Sequence, residues 1–165
     1  MSNLPQVRAD KHTVDEMRQL VSFQLDAEEY GVDVLSVREI IRLPEITKTP
    51  NCPDYVDGII NLRGTVVPII SLRKRFGLCE QEHDRHSRIL VMERDGRLTG
   101  FVVDAVSEVL RVSAASIQPP PSLVTSGSAQ DCLTGVINHG ERLLIVIEPA
   151  RLLGDELDTQ YDQAA

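Results

Sequence analysis

Tryptophan is absent from this 165-residue chain, and aromatic residues make up only 4% of it. Surplus positive charge is also lacking, with a net charge of −8. Nucleic-acid binding calls for a basic face and stacking rings, so the composition argues against it. No apolar run approaches the roughly 20 residues of a membrane span, and residues 1–20 lack the apolar core of a signal peptide. Cys52, Cys79 and Cys132 are odd in number, far apart and without CxxC spacing, which reads as reduced thiols in the cytosol. The signatures of serine hydrolases, P-loops, dinucleotide folds and zinc peptidases are all missing. His83 and His86 have no third ligand near them in sequence, and Asp26, Glu28 and Glu29 read as a solvated turn. Cys52 has no histidine base beside it. These absences point to a cytoplasmic binding module with no catalytic apparatus, metal or cofactor.

What is present is a repeat. Gly58–Leu72 reads GIINLRGTVVPIISL: an apolar strand, a polar turn and a second apolar strand, with Gly64 free to take positive φ. Gly135–Gly140 followed by Leu143–Ile147 repeats the plan 77 residues later. A short helix-like segment follows each copy. The first runs from Ser71 as N-cap to Gly77 as stop, and the second from Pro149 to Gly154. Upstream, Gly31–Ile40 matches Gly100–Val109 at an offset of 69, and Val21–Phe23 matches Leu90–Met92. The change of offset places eight extra residues in the second copy, within Pro119 to Leu133. A unit of about 65 residues buries too little surface to stand alone, so the copies are expected to pack on each other.

The expected organisation is an extension over 1–19, one repeat over about 20–78, a second over about 88–154, and an acidic tail over 155–165. Thr13–Glu16 has the capping-box pattern of a short helix. Val21, Phe23 and Leu25 alternate with polar residues as in a half-buried strand. Tyr30–Ile41 reads as one longer strand region. Its second half also fits a helical turn, although its β-branched residues favour strand. Asp95-Gly96 is a hairpin turn signal, and Arg73-Lys74-Arg75 reads as a solvated face at a helix end. Many short strands with turns point to a mainly β fold of two small barrels.

Asn61 and Asn138 match between the copies, as does the glycine-containing turn at Gly64 and Gly140, so these four residues are assigned to turn structure. Arg63 has no counterpart in the second copy. It is either a solvated turn residue or, being extra to the fold, a residue for partner recognition. Glu39, matched by Glu108, is the candidate partner that would orient it. Pro68 within a strand implies an edge or irregular pairing.

The stretches YGVDVLSVREI (30–40), GIINLRGTVVPIISLRKRFG (58–77), GFVVDAVSEVL (100–110) and CLTGVINHGERLLIVI (132–147) resemble the CheW family of chemosensory coupling proteins. The likeness covers most of residues 20–154. It implies two five-stranded Src-homology-three-like barrels related by a pseudo-twofold, with no enzymatic activity. It also implies a role in joining a chemoreceptor's cytoplasmic tip to the regulatory domain of the histidine kinase CheA, within arrays that contain rings of CheW-like domains. Carried onto this sequence, receptor binding falls to Val37, Glu39, Gly58 and Arg63, and kinase binding to Ile89, Gly100 and Val109. The resemblance implies cytoplasmic protein recruited to membrane-associated receptors, without insertion of its own. A scaffold of another array pathway, such as pilus-driven surface motility, and a CheV-type scaffold fragment are the alternatives. Ser71 departs from the aspartate usual in the family before Leu-Arg, a local change of charge that keeps capping ability.

Overall fold

The computed structural model describes residues 16–120 and 132–152. Its ten strands are β1 (Met17–Leu25), β2 (Glu28–Asp33), β3 (Val37–Arg42), β4 (Val56–Leu62), β5 (Thr65–Ser71), β6 (Arg88–Arg94), β7 (Arg97–Val103), β8 (Ala105–Ser113), β9 (Leu133–His139) and β10 (Arg142–Ile147). One helical turn, α1 (Leu72–Arg75), follows β5, and another, α2, spans 149–152. Ser71 caps α1 as expected, its side chain accepting from the Lys74 amide, and Gly77 ends the segment at φ 75°. The other end expected of α2, Gly154, lies outside the described residues.

The strands form two five-stranded sheets, ordered β8-β1-β2-β10-β9 and β3-β6-β7-β5-β4. Each sheet draws on both repeats. The first repeat's β1 and β2 join the second repeat's β8, β9 and β10, while β6 and β7 join β3, β4 and β5. Each sheet has two such joints, a longer antiparallel ladder (β1 with β8, β3 with β6) and a short parallel one (β2 with β10, β7 with β5). The sheets curl into barrels, and each is closed by a reciprocal backbone bridge. Thr47 and Ile59 exchange bonds of 2.9 and 2.8 Å, and Gln118 and Val136 exchange bonds of 2.9 and 2.8 Å. Thr47 and Gln118 stand 71 residues apart, so two of the eight extra residues enter before Pro119, upstream of where the sequence placed them.

Three apolar clusters fill this architecture. One barrel holds Leu20, Leu110, Val112, Ile137, Leu144 and Val146, and the other Ile60, Val67, Ile69, Ile89, Val91 and Val102. The third and largest, with Phe23, Tyr30, Ile70, Leu90 and Phe101, lies between the barrels and is built from both sheets. This explains why β1 departs from a half-buried strand. Leu20 through Phe23 are all buried, because Leu20 faces a barrel interior while Val21 and Phe23 face the shared cluster.

Residues 30–41 are not one strand. A single 3-10 turn at Val34–Ser36, opened by the Asp33 carboxylate accepting from the Leu35 amide at 2.9 Å, carries the chain from one sheet to the other. Strand is nevertheless the state of Val37–Arg42. Thr13–Asp15 lie outside the described residues, and Met17 already belongs to β1, so the strand starts earlier than Leu20 and no helix continues past Glu16. Asp95 and Gly96 form the expected two-residue turn, with φ of 52° and 79° between the paired Arg94 and Arg97. Pro68 meets the expectation of an edge or irregular pairing, locally and within an inner strand. β5 has β4 beside it along its length, but its ladder with β7 registers only Ile69–Ser71, so Pro68 sits just before the second partner arrives.

Candidate functional site

The site begins at the seam of one barrel. β3 and β4 are the end strands of their sheet, and closure at Thr47–Ile59 brings them round to each other. Gly58 makes that closure possible. It holds φ 150°, and a Cβ there would lie 2.1 Å from the Thr47 carbonyl oxygen, closer than any side chain tolerates. Beyond it, Arg63 and Gly64 form the two-residue turn to β5 with φ of 50° and 89°, and the Asn61 side-chain oxygen accepts from the Gly64 amide at 2.8 Å.

That turn aims Arg63 across the seam. Its Nη1 donates to Glu39 Oε1 at 3.0 Å and its Nη2 to Oε2, a two-pronged pair between β3 and the β4–β5 turn. The Arg63 side chain is 71% exposed and that of Glu39 25%. The hydrogen bonds and charge of Arg63 hold the Glu39 carboxyl below its ordinary range, and the same bonds push the guanidinium further up. The result is a fixed, outward-facing arginine whose geometry is set by its own fold. Val37, on the same strand, is half-buried against the shared cluster.

The three residues assigned to kinase binding are not brought together. Ile89 is fully buried inside a barrel, and Gly100 lies where β7 meets β5 so closely that a Cβ would be 2.7 Å from both Ile69 Cδ1 and Ile89 Cγ2. Neither can present a side chain to a partner, which corrects their assignment as surface. Val109, 54% exposed on β8 of the other barrel, can. His83 and His86 are exposed in the inter-repeat linker, and among the described residues no group of three potential ligands converges.

The basic run after β5 is not a solvated face. Arg73 is buried and lies at the centre of a polar hub. Its Nε and Nη2 donate to Asp104 at 2.9 and 2.7 Å, its Nη1 to the Cys79 carbonyl at 2.7 Å, and its Nη2 also reaches Asp26 at 3.3 Å. Asp104 accepts from the Asp26 amide at 2.8 Å as well. Burial pushes the Asp104 carboxyl up, but the bonds from Arg73 and the Asp26 amide more than offset it, leaving it below its ordinary value. Lys74 bonds Asp57 and Glu80 at 3.0 Å each. Arg75 donates to the Leu152 carbonyl at 3.1 Å and stacks over Tyr55. Because Asp104 joins β7 to β8, one guanidinium ties both barrels to the linker. Nothing local in sequence marks this, since the partners lie up to 47 residues away.

The exposed large apolar residues show the duplication again. Ile40 and Val66 on one barrel correspond, at the offsets of 69 and 77, to Val109 and Leu143 on the other. The family model described as the CheW-like domain matches residues 19–157. The chain belongs to the CheW family. It is 38% identical over 148 residues to the chemotaxis protein CheW of Klebsiella aerogenes, covering 90% of this chain and 89% of that one. With the CheW of Treponema pallidum it shares 35% identity over 146 residues, 86% of this chain and 85% of the other. The crystal structure of the scaffolding protein TtCheW from Thermoanaerobacter tengcongensis superposes with a TM-score of 0.78 at 35% identity, covering 86% of this chain and 91% of that one. The CheW fold therefore accounts for both barrels and their exchanged strands.

Proposed function

We propose that this CheW-family chain is a non-catalytic adaptor coupling chemoreceptors to the histidine kinase CheA, so that receptors control kinase activity. The match of residues 19–157 to the CheW-like domain carries this reading. The receptor's helical tip docks at the seam between β3 and β4, with Arg63, oriented by Glu39, as its polar anchor. Gly58 and Val37 serve that site from behind, one by allowing closure and the other by fixing β3 on the core. The kinase's regulatory domain pairs barrel to barrel with the chain, and repeated pairing builds rings. The exposed apolar residues Val109 and Leu143 on the second barrel support such pairing. No helix among the described residues is long and apolar enough to cross a membrane. The protein works in the cytoplasm and reaches the membrane through its receptors.

Co-sedimentation tests the proposal. Receptor-containing membranes, CheA and this protein are mixed, and kinase activity is measured beside pelleted protein. The protein should pellet with receptors, with kinase activity rising only in the three-part mixture. Arg63→Ala should lower pelleting while leaving the unfolding transition in place. Loss of coupling without any change in pelleting would remove Arg63 from the receptor site.

A further inference from the structure

Beyond the irregularity at Val37–Glu39, the outer face of β3 carries Ile40 and Arg42, both exposed. In the β3–β6 register Arg42 stands directly opposite Arg88. Such opposed residues have Cβ atoms about 4.5–5.5 Å apart, and like charges there work against pairing. Arg38 is already paired with Glu93 at 3.1 Å, but among the described residues no carboxylate lies within ion-pair distance of Arg42, Arg85 or Arg88. Arg88 Nη1 donates to the Arg85 and Ser87 carbonyls, at 2.8 Å each, which fixes the guanidinium without neutralising it. The fold does not demand this arrangement. At the equivalent place in the other barrel, Arg111 stands opposite Gln19, an uncharged partner. An unneutralised arginine pair is therefore particular to one barrel of a chain whose net charge is −8.

Ile40 lies two residues from Arg42 on the same face and is 42% exposed. Two residues along a strand span about 6.5 Å, the same step that separates side chains on one face of any extended peptide. We propose that this face of β3, with Arg88 of β6 beside it, is a docking surface for an acidic, extended segment of a protein partner. A carboxylate sits between Arg42 and Arg88, and an apolar side chain two residues along covers Ile40. Arginine suits the first contact because its planar donors match a carboxylate. The apolar neighbour favours a peptide over a purely ionic ligand, and neither β3 nor β6 carries a ring that would stack on bases. The surface is separate from the Glu39–Arg63 pair, so its test does not depend on receptor coupling.

The full chain is titrated against a fluorescein-labelled peptide of Glu-Thr-Val-Thr repeats and against its Gln-for-Glu counterpart, with anisotropy as the signal. The glutamate peptide should bind saturably and the glutamine peptide should not. Affinity should fall about tenfold when salt is raised from roughly 50 to roughly 500 mM. Arg42→Glu should lower it as much while leaving the unfolding midpoint unchanged or raised, because the like-charge pair is gone. Equal binding of the two peptides, or unchanged affinity in Arg42→Glu, would overturn the proposal. So would binding that emerges only after Asp155→Asn, Glu156→Gln and Asp158→Asn, since the face would then be the seat of the chain's own tail. Equal affinity for a single-stranded oligonucleotide would overturn it too.

Discussion

Replacing Arg73 with methionine removes the cation from a hub that holds two carboxylates and a backbone carbonyl together, while keeping much of the side chain's bulk. Removing one member of a buried ion pair costs about 3–5 kcal/mol, because the other charge is stranded. Here the Arg73 side chain is 10% exposed, but Asp104 is 31% and Asp26 59% exposed, so water relieves part of the cost. The expected loss is about 2–4 kcal/mol. For a chain of this size that lowers the melting midpoint by roughly 5–15 °C. Urea unfolding followed by far-UV circular dichroism measures the loss directly. Adding Asp104→Asn to Arg73→Met should recover part of it, because asparagine still accepts from the Asp26 amide but leaves no stranded charge. A loss below about 0.5 kcal/mol, or a double variant less stable than Arg73→Met alone, would refute the hub as an electrostatic clamp.

The pH dependence of that clamp has a definite sign. Asp104 has a lowered folded pKa, so its contribution is present above the ordinary carboxylate range and is lost as pH falls through the folded value; the gap between wild type and Arg73→Met should narrow over that acid limb in denaturation curves. Gly58→Ala puts a methyl group against the Thr47 carbonyl and demands a disfavoured φ, so it should cost about 2–4 kcal/mol and speed amide exchange at Thr47 and Ile59, with unaltered exchange counting against the seam. Gly100→Ala should cost about 1–3 kcal/mol by overpacking, and Ile69→Val, which deletes the Cδ1 it meets, should restore part of that in thermal melts.

Much of this was legible in the sequence because the signals are local or repeated. The Arg63-Gly64 turn, the Ser71 cap and the Asp95-Gly96 hairpin each rest on residues within a few positions of one another. The Glu39–Arg63 pair became readable only through the repeat, which showed the arginine as surplus to the fold. What escaped lies in tertiary partnership. Periodicity identifies strands but not their neighbours, so it gave no sign that β2 would leave β3 at Val34–Ser36 and pair with β10. Alternation along β1 suggested one wet face, and the second core that dries that face comes from β8, β9 and β10. Ile89 and Gly100 read as surface in a motif, whereas the close approach of β5 and β7 seals them inside. Arg73 sat in a basic run whose charges, taken by sequence alone, belonged in water.

Because each barrel borrows two strands from the other repeat, neither repeat is a folding unit. Cutting the chain in the linker between Gly77 and Ser87 would yield halves that each carry an unfinished sheet and an orphaned hairpin. Such halves should recover structure only when mixed, each supplying the strands the other is missing. The same logic runs backwards in time. A single-repeat ancestor of this architecture would have been whole only as an arm-exchanged pair, and fusing the two copies made that pairing permanent.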